Sequence, residues 1–221
     1  EFRRVLFRSQ KKTINLQAAK AEVARQDQIE LGQLKDRVSA MLDGKEALKP
    51  YRNQIQVDIT TEGLRIQIVD AQNRPMFDVG RAVLKEYTRE ILRSIGVVLN
   101  DANYKISLAG HTDAQPYASG ERGYSNWELS TDRANASRRG LVGAGVPENR
   151  IARVVGKADT EPLLKEDPNN ARNRRLSVIL LRATGDGGPG GAQEIGNGRG
   201  APKADDAPAR RIDITGRGQK K

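Results

Sequence analysis

The chain has 221 residues, of which 37% are hydrophobic and 30% charged, with a net charge of +10 and no cysteine. This composition suits one modest domain with extensions, and the lack of cysteine excludes disulfide bonds and thiolate metal sites. We expect no membrane span, because no apolar run approaches the roughly 18 residues that a bilayer requires, and no signal peptide, because residues 1–9 have arginines but no apolar h-region. The positive surplus is spread thinly along the sequence, so we predict solvated surface charge and no nucleic-acid partner.

The two ends of the sequence differ from its middle. Residues 1–12, which begin EFRRVLFRS, match no pattern downstream, and we interpret them as non-native or disordered. Residues 185–221 are rich in glycine and poor in large apolar side chains. Such a segment buries too little surface to offset the entropy of ordering it, so we predict a disordered tail.

A narrow apolar seam predicts a linker helix over residues 13–50. Leu31, Leu34, Val38 and Met41 recur at three- and four-residue spacing, as on one side of a helix. Two interpretations stay open: the helix packs on its own domain, or it pairs with its copy in a dimer. As a spacer it should be dispensable, so deletion of residues 1–49 should leave the sheet folded.

The middle of the sequence alternates strand and helix patterns. The predicted elements are strands at 54–60 and 64–69, a helix at 81–99, a strand at 104–109, a helix at 130–144, a short edge strand at 151–155 and an apolar strand at 176–181. Strands separated by helices predict an α/β (α+β) two-layer sandwich over residues 51–184, with helices on one face of a mixed sheet.

Asp113 and Arg133 are the first candidate functional residues. Asp113 follows the strand that ends at Gly110, and Ser130 is a plausible N-cap that would place Arg133 in the first turn of a helix. An arginine there opposes the helix dipole, and a residue that breaks a local preference is often functional. An acid and a guanidinium facing one cleft could bind a ligand that carries an ammonium and a carboxylate. The alternative is a structural salt bridge between the two side chains.

Several separated motifs carry a family resemblance. They are Thr112-Asp113, Asn126-x-x-Leu129-Ser130-x-x-Arg133-Ala134, Gly145-Val146 and Asn173-Arg174-Arg175. Together they resemble OmpA-like peptidoglycan-binding domains. The segments at 63–77 and 123–139 resemble MotB-type flagellar stator proteins more closely.

The resemblance implies a βαβαβ domain with a mixed four-stranded sheet, preceded by a helix. It also implies a non-catalytic anchor that grips diaminopimelate in the stem peptide of peptidoglycan. Asp113 would accept from the ammonium and Arg133 would bind the carboxylate with its planar fork. The further candidate ligand-binding residues are Thr112, Asn126, Leu129, Arg174 and Arg175.

Partners and location follow from the same resemblance. It implies a homodimer in the periplasm, anchored in the inner membrane in the full-length protein, which would work with a MotA-type stator partner. Two alternatives stay open: a general OmpA-like cell-envelope anchor, and a cell-wall hydrolase. We expect a protein without enzymatic activity, cofactor or metal. His111 is the sole histidine, whereas a catalytic zinc site needs about three protein ligands.

Overall fold

Five strands form one mixed sheet in a computed structural model that describes residues 2–71, 73–117 and 123–182, with side chains from residue 17 onward. The strands are β1 (Ile55–Ile59), β2 (Gly63–Val69), β3 (Lys105–His111), β4 (Ile151–Gly156) and β5 (Arg175–Leu181). The helices of the described part are α1 (Phe2–Gly44), α2 (Glu86–Asn100) and α3 (Asn126–Gly143), and short 3₁₀ segments lie at Glu46–Gln54, Glu148–Arg150 and Ala171–Asn173. The predicted tail at 185–221 lies outside the described residues.

The strand order is β1-β2-β5-β3-β4, and only β3 and β4 run parallel. The connection between these two contains α3, as a parallel crossover requires. The predicted two-layer α/β fold is therefore confirmed, and the sheet has one strand more than the four that the family resemblance implies. All five strands lie close to the segments predicted from the residue pattern, including the edge strand β1, whose Ile55 and Ile59 lie opposite Ile68 and Leu64 of β2 and extend the apolar face.

Side-chain alternation gives the sheet two different faces. Leu64, Ile66 and Ile68 of β2 are fully buried in the core that the three helices share, whereas Arg65 and Gln67 lie on the opposite face. The helices thus cover one face, and a polar face remains on the other side.

The seam of α1 packs on its own domain. Leu31, Leu34, Val38 and Leu42 are at most 1% exposed within the single chain and belong to the same core as the sheet. This part of the helix is core, so we now expect deletion of residues 1–49 to destabilise the sheet instead of leaving it folded. The helix begins at Phe2, earlier than the predicted residue 13, and residues 17–26 are exposed.

Helix α2 begins at Glu86, not at the predicted residue 81. Residues 76–85 instead pair with themselves: Asp78 N–H donates to the carbonyl of Val83, and Lys85 N–H donates to the carbonyl of Met76. These backbone groups are bonded within the segment and not in a helix, so residues 76–85 form a loop before α2.

Helix α3 begins at Asn126, and the predicted N-cap at Ser130 is wrong. Ser125 is the N-cap, and its backbone N–H donates to the carboxylate of Glu128 in a capping box. Ser130 lies inside the helix, where its hydroxyl accepts from Ala158 N–H. None of the helices in the described part is long and apolar enough to cross a bilayer.

Candidate functional site

A cleft lies where β2 and β3 end and β5 begins. Both β2 and β3 run antiparallel to β5, so their ends meet the start of β5 at one edge of the sheet. We call this cavity of about 540 Å³ the Asp113 cleft. Its lining includes Asp70, Phe77, Arg81, Thr112, Asp113, Asn126, Leu129, Arg133 and Arg174.

Close packing of α3 on β3 sets the geometry of the cleft. A side-chain carbon added at Gly110 would lie 2.2 Å from the carbonyl oxygen of Ser130, so only glycine lets the helix come this near. This approach brings the first half of α3, which contains Arg133, beside the end of β3, which precedes Asp113.

Arg174 bridges two buried carboxylates. Its Nε lies 2.7 Å from Oδ2 of Asp70, and its Nη1 lies 2.7 Å from Oδ2 of Asp113. Asp70 is 3% exposed and also accepts from Met76 N–H at 2.7 Å. Burial raises the pKa of Asp70 despite these hydrogen bonds. For Arg174, burial acts to lower the pKa, but the hydrogen bonds and charges of the two carboxylates outweigh it, so the pKa of Arg174 is raised.

Arg133 faces the cleft, and no carboxylate of the described residues is its partner. It lies about two turns into α3, so the predicted place in the first turn is wrong. Its Nε donates to the carbonyl of Arg81 at 3.2 Å, and its guanidinium carbon lies 5.0 Å from the ring centre of Phe77. Across the described residues, no carboxylate oxygen lies within ion-pair distance of Arg133, so the alternative of an Asp113–Arg133 salt bridge is also wrong. Burial lowers the pKa of Arg133 because the charged form is poorly solvated.

The other predicted residues of this cleft shape its walls. Asn126 Nδ2 donates to the carbonyls of Asp113 at 3.3 Å and Gln115 at 2.9 Å, so this side chain holds the loop after β3. Leu129 is buried and contributes an apolar side chain to the wall of the cleft. Thr112 is also buried, and its Oγ1 has no hydrogen-bond partner in the described part of the chain.

Arg175 does not join the cleft. Because side chains alternate along β5, Arg175 lies on the polar face of the sheet, opposite His111 of β3, and its Nη2 donates to the carbonyl of Glu161 at 2.6 Å. The interpretation of Arg175 as part of the same ligand site therefore needs correction.

His111 is buried on the polar face of the sheet, opposite Arg175 of β5. Burial, and then the charge of Arg175, lowers its pKa to about 3, so the ring is neutral at physiological pH. Its Nδ1 has no hydrogen-bond partner among the described residues. Across residues 2–71, 73–117 and 123–182, no cluster of three acidic or histidine side chains could hold a metal ion.

Asp70 is the site residue that the sequence analysis missed. It follows β2 directly, as Asp113 follows β3, and its N–H donates to the carbonyl of Arg174. A signal was present, since polar residues at the ends of strands commonly form sites. The hairpin pattern of β1 and β2 alone did not reveal that β2 lies next to β5.

The chain is similar to known proteins in sequence. Residues 76–175 match the model of the OmpA family. Motility protein B of Escherichia coli K12 is 49% identical over 157 residues, which cover 71% of this chain and 51% of that protein. The chain thus spans about half the length of this relative.

Solved structures share the fold. A MotB-like protein from Desulfovibrio vulgaris has a TM-score of 0.60 at 21% identity, covering 72% of this chain and 98% of that chain. The cell wall anchor of the T6SS from Pseudomonas aeruginosa has a TM-score of 0.50 at 25% identity, covering 59% of this chain and 89% of that chain. The chain is therefore a homologue of Motility protein B that contains an OmpA-family domain.

Proposed function

We propose that this chain is the periplasmic, non-catalytic anchor of a flagellar motor stator, and that the Asp113 cleft binds diaminopimelate in peptidoglycan. The 49% identity to a protein named Motility protein B supports the role in motility. The similarity to a protein described as a cell wall anchor supports binding to the wall.

The buried guanidinium of Arg133 is the observation on which the ligand assignment rests. A charge that is 8% exposed is costly unless it is paired, and its one described hydrogen bond goes to a neutral carbonyl. A ligand carboxylate would supply the missing counter-charge and match the planar fork with two charge-assisted bonds.

Asp113 supplies the complementary half of the site. Its Oδ2 accepts from Arg174, and no donor in the described part bonds its Oδ1, which is available for a ligand ammonium. Arg174 is a positioning residue, because Asp70 holds its other side. Diaminopimelate has an ammonium and a carboxylate on one terminal carbon, so it fits an acid and a guanidinium that face one cavity.

Calorimetric titration with a diaminopimelate-containing stem peptide tests this assignment. Asp113→Asn removes the charge that meets the ammonium, and Arg133→Lys removes the bidentate fork. Each change should weaken binding by about 1.5–3 kcal/mol, or roughly ten- to a hundredfold.

Two controls make that titration specific. Arg139→Lys changes an exposed arginine of the same helix and should bind like the wild type. A stem peptide with lysine in place of diaminopimelate lacks the terminal carboxylate and should bind the wild type weakly. If both cleft variants fold and bind like the wild type, the assignment is wrong.

A general envelope anchor is the second candidate, favoured by the similarity to the T6SS anchor. Such an anchor would bind wall fragments through the same cleft without a role in swimming. Restoration of swimming by the full-length protein, in cells that lack their own motility protein B, separates the two. A hydrolase would change the mass of muropeptides after incubation, whereas the proposed anchor leaves their mass unchanged.

The assembly is also a proposal. The full-length protein would be anchored in the inner membrane, work with a MotA-type partner and form a homodimer. Since Leu31 and Leu34 are buried in the chain's own core, the dimer contact would use the exposed stretch of α1, where Val23 is 48% and Ile29 is 47% exposed. Sedimentation over a range of concentrations tests the dimer, and a monomer throughout would exclude it.

A further inference from the structure

The polar face of the sheet contains a second cavity of about 320 Å³, separate from the Asp113 cleft. The strand register places its side chains in rows. One row runs from Arg65 of β2 through Ile179 and Ser107 to Arg153 of β4. The next row contains Gln67, Ser177 and Ala109, so small side chains form a hollow between long basic ones.

The floor of this sheet-face cavity offers hydrogen-bond donors. Ser107 Oγ accepts from Arg153 Nε at 2.8 Å, and Ser177 Oγ accepts from Gln67 Nε2 at 3.3 Å. Neither hydroxyl donates to an acceptor in the described part of the chain. Each therefore has its own hydrogen available for an acceptor in the cavity.

The acids that line the cavity are already paired. Glu62 lies 2.9 Å from Arg153, and Glu161 lies 2.6 Å from Lys157. Both carboxylates thus have a basic partner, and Glu161 offsets the charge of Arg175 only in part, because burial still lowers the pKa of Arg175.

Two of the cations are poorly compensated. Arg175 is 7% exposed, its nearest described partners are backbone carbonyls, and its Nε has no hydrogen-bond partner in the described residues. Arg65 Nε is likewise buried without a described partner, and its Nη2 lies 3.7 Å from the half-exposed Asp58. A bound anion would therefore supply a counter-charge to the buried Arg175 and a second one to Arg65, whose side chain is 38% exposed.

We propose that the sheet-face cavity binds a small oxyanion of the phosphate type. Its oxygens would accept from the two serine hydroxyls on the floor and from the guanidinium groups of Arg65 and Arg175. Guanidinium forks match tetrahedral oxyanions well, and the surplus of cations favours a dianion over a neutral ligand. The sheet-face cavity is independent of peptidoglycan binding in the Asp113 cleft, because it lies on the face of the sheet opposite the helices.

Titration of the isotope-labelled chain with inorganic phosphate, followed by amide NMR, tests the proposal. Ionic strength is held constant with chloride. We expect saturable shifts centred on Ser107, His111 and Ser177, with a Kd of about 1 mM or tighter. Arg65→Gln should weaken the affinity at least about tenfold, as loss of one charge-assisted contact does. Arg139→Gln, which removes an exposed charge on the helix side, should leave the affinity unchanged.

Three results would overturn the proposal. The first is an absence of saturable shifts at these residues. The second is an equal response to phosphate and to chloride. The third is equal weakening by Arg65→Gln and Arg139→Gln, which would indicate diffuse attraction to a basic surface. A second variant, Lys157→Gln, keeps the test valid if Arg65→Gln fails to fold, since Lys157 is a half-exposed rim residue whose one ion pair among the described residues is with Glu161.

Discussion

Replacement of Arg133 by methionine should separate ligand binding from stability. Methionine keeps most of the length and packing of the side chain but removes the charge. Binding of a diaminopimelate stem peptide should fall about ten- to a hundredfold or more, because the ligand carboxylate loses its only buried cation partner on α3. The fold itself should lose little.

The expected stability change follows from two opposing contributions. The variant loses the hydrogen bond to Arg81 O at 3.2 Å and the contact with the Phe77 ring, which together contribute about 2–3 kcal/mol. It also removes a buried charge that has no carboxylate partner in the described part of the chain, and burying such a charge costs several kcal/mol. The free energy of unfolding should therefore stay equal to that of the wild type or rise by up to about 1 kcal/mol.

Arg174→Met is the matched control. It also removes one arginine from the cleft, but it leaves Asp70 and Asp113 buried without their shared partner. The free energy of unfolding should fall by about 3–5 kcal/mol. Urea denaturation measures both variants, and calorimetry measures their binding. If Arg133→Met destabilises the chain as much as Arg174→Met, then Arg133 is a structural residue and our reasoning about its missing partner is refuted.

Three further predictions concern stability. The neutral His111 has a pKa of about 3, below its ordinary 6.5, so the unfolded chain binds a proton first as pH falls. Stability should drop from pH 6.5 towards 3 by at most about 1.4 kcal/mol per unit, and His111→Asn should reduce this slope in urea denaturation. Leu34→Ala should lower the unfolding free energy by about 2–5 kcal/mol, because Leu34 is 1% exposed in the core. Gly110→Ala should cost about 1–3 kcal/mol and weaken wall binding, because its added carbon would meet Ser130 O at 2.2 Å.

Each of these has a clear contrary result. An unchanged slope in His111→Asn would mean that other groups dominate the acid response. A Leu34→Ala variant as stable as the wild type would show that α1 is not core. A Gly110→Ala variant with full stability and binding would show that the contact between α3 and β3 is less tight than the structure indicates.

The sequence predicts the layers well because the sheet has one clearly apolar face. The alternation in β2 and the apolar run of β5 are local signals of burial, and both strands appear where they are predicted. The starts of α2 and α3 are predicted poorly. In α3 the signal at Ser125 and Glu128 was present, but Ser130 also fits an N-cap pattern, and spacing alone does not rank the two.

The candidate site could be predicted only in part. The residue types at 113, 133 and 174 indicate an acid and two guanidinium groups near one edge of the sheet. Their pairing depends on strand order, which is non-local. Because β5 lies between β2 and β3, Arg174 meets Asp70 and Asp113, and Arg133 has no carboxylate partner among the described residues. The same non-local order puts Arg175 beside His111 on the other face, which a motif of adjacent arginines does not indicate.

The helix seam illustrates the same limit. Leu31, Leu34 and Val38 form a pattern that fits either a dimer or the chain's own core. Only the position of α1 relative to the sheet decides between these, and that position depends on contacts distant in sequence. One such contact joins Tyr104 to Glu30, where the phenol donates to the carboxylate at 2.9 Å.

Co-sedimentation with purified peptidoglycan tests the central proposal most directly. The chain is incubated with insoluble wall that contains diaminopimelate and, in parallel, with wall that contains lysine at that position. We predict that the wild type pellets with the first wall and largely stays in solution with the second, whereas Arg133→Met stays in solution with both while remaining folded. Equal pelleting of the wild type and Arg133→Met with the diaminopimelate wall would contradict the assignment of the cleft as the anchor site.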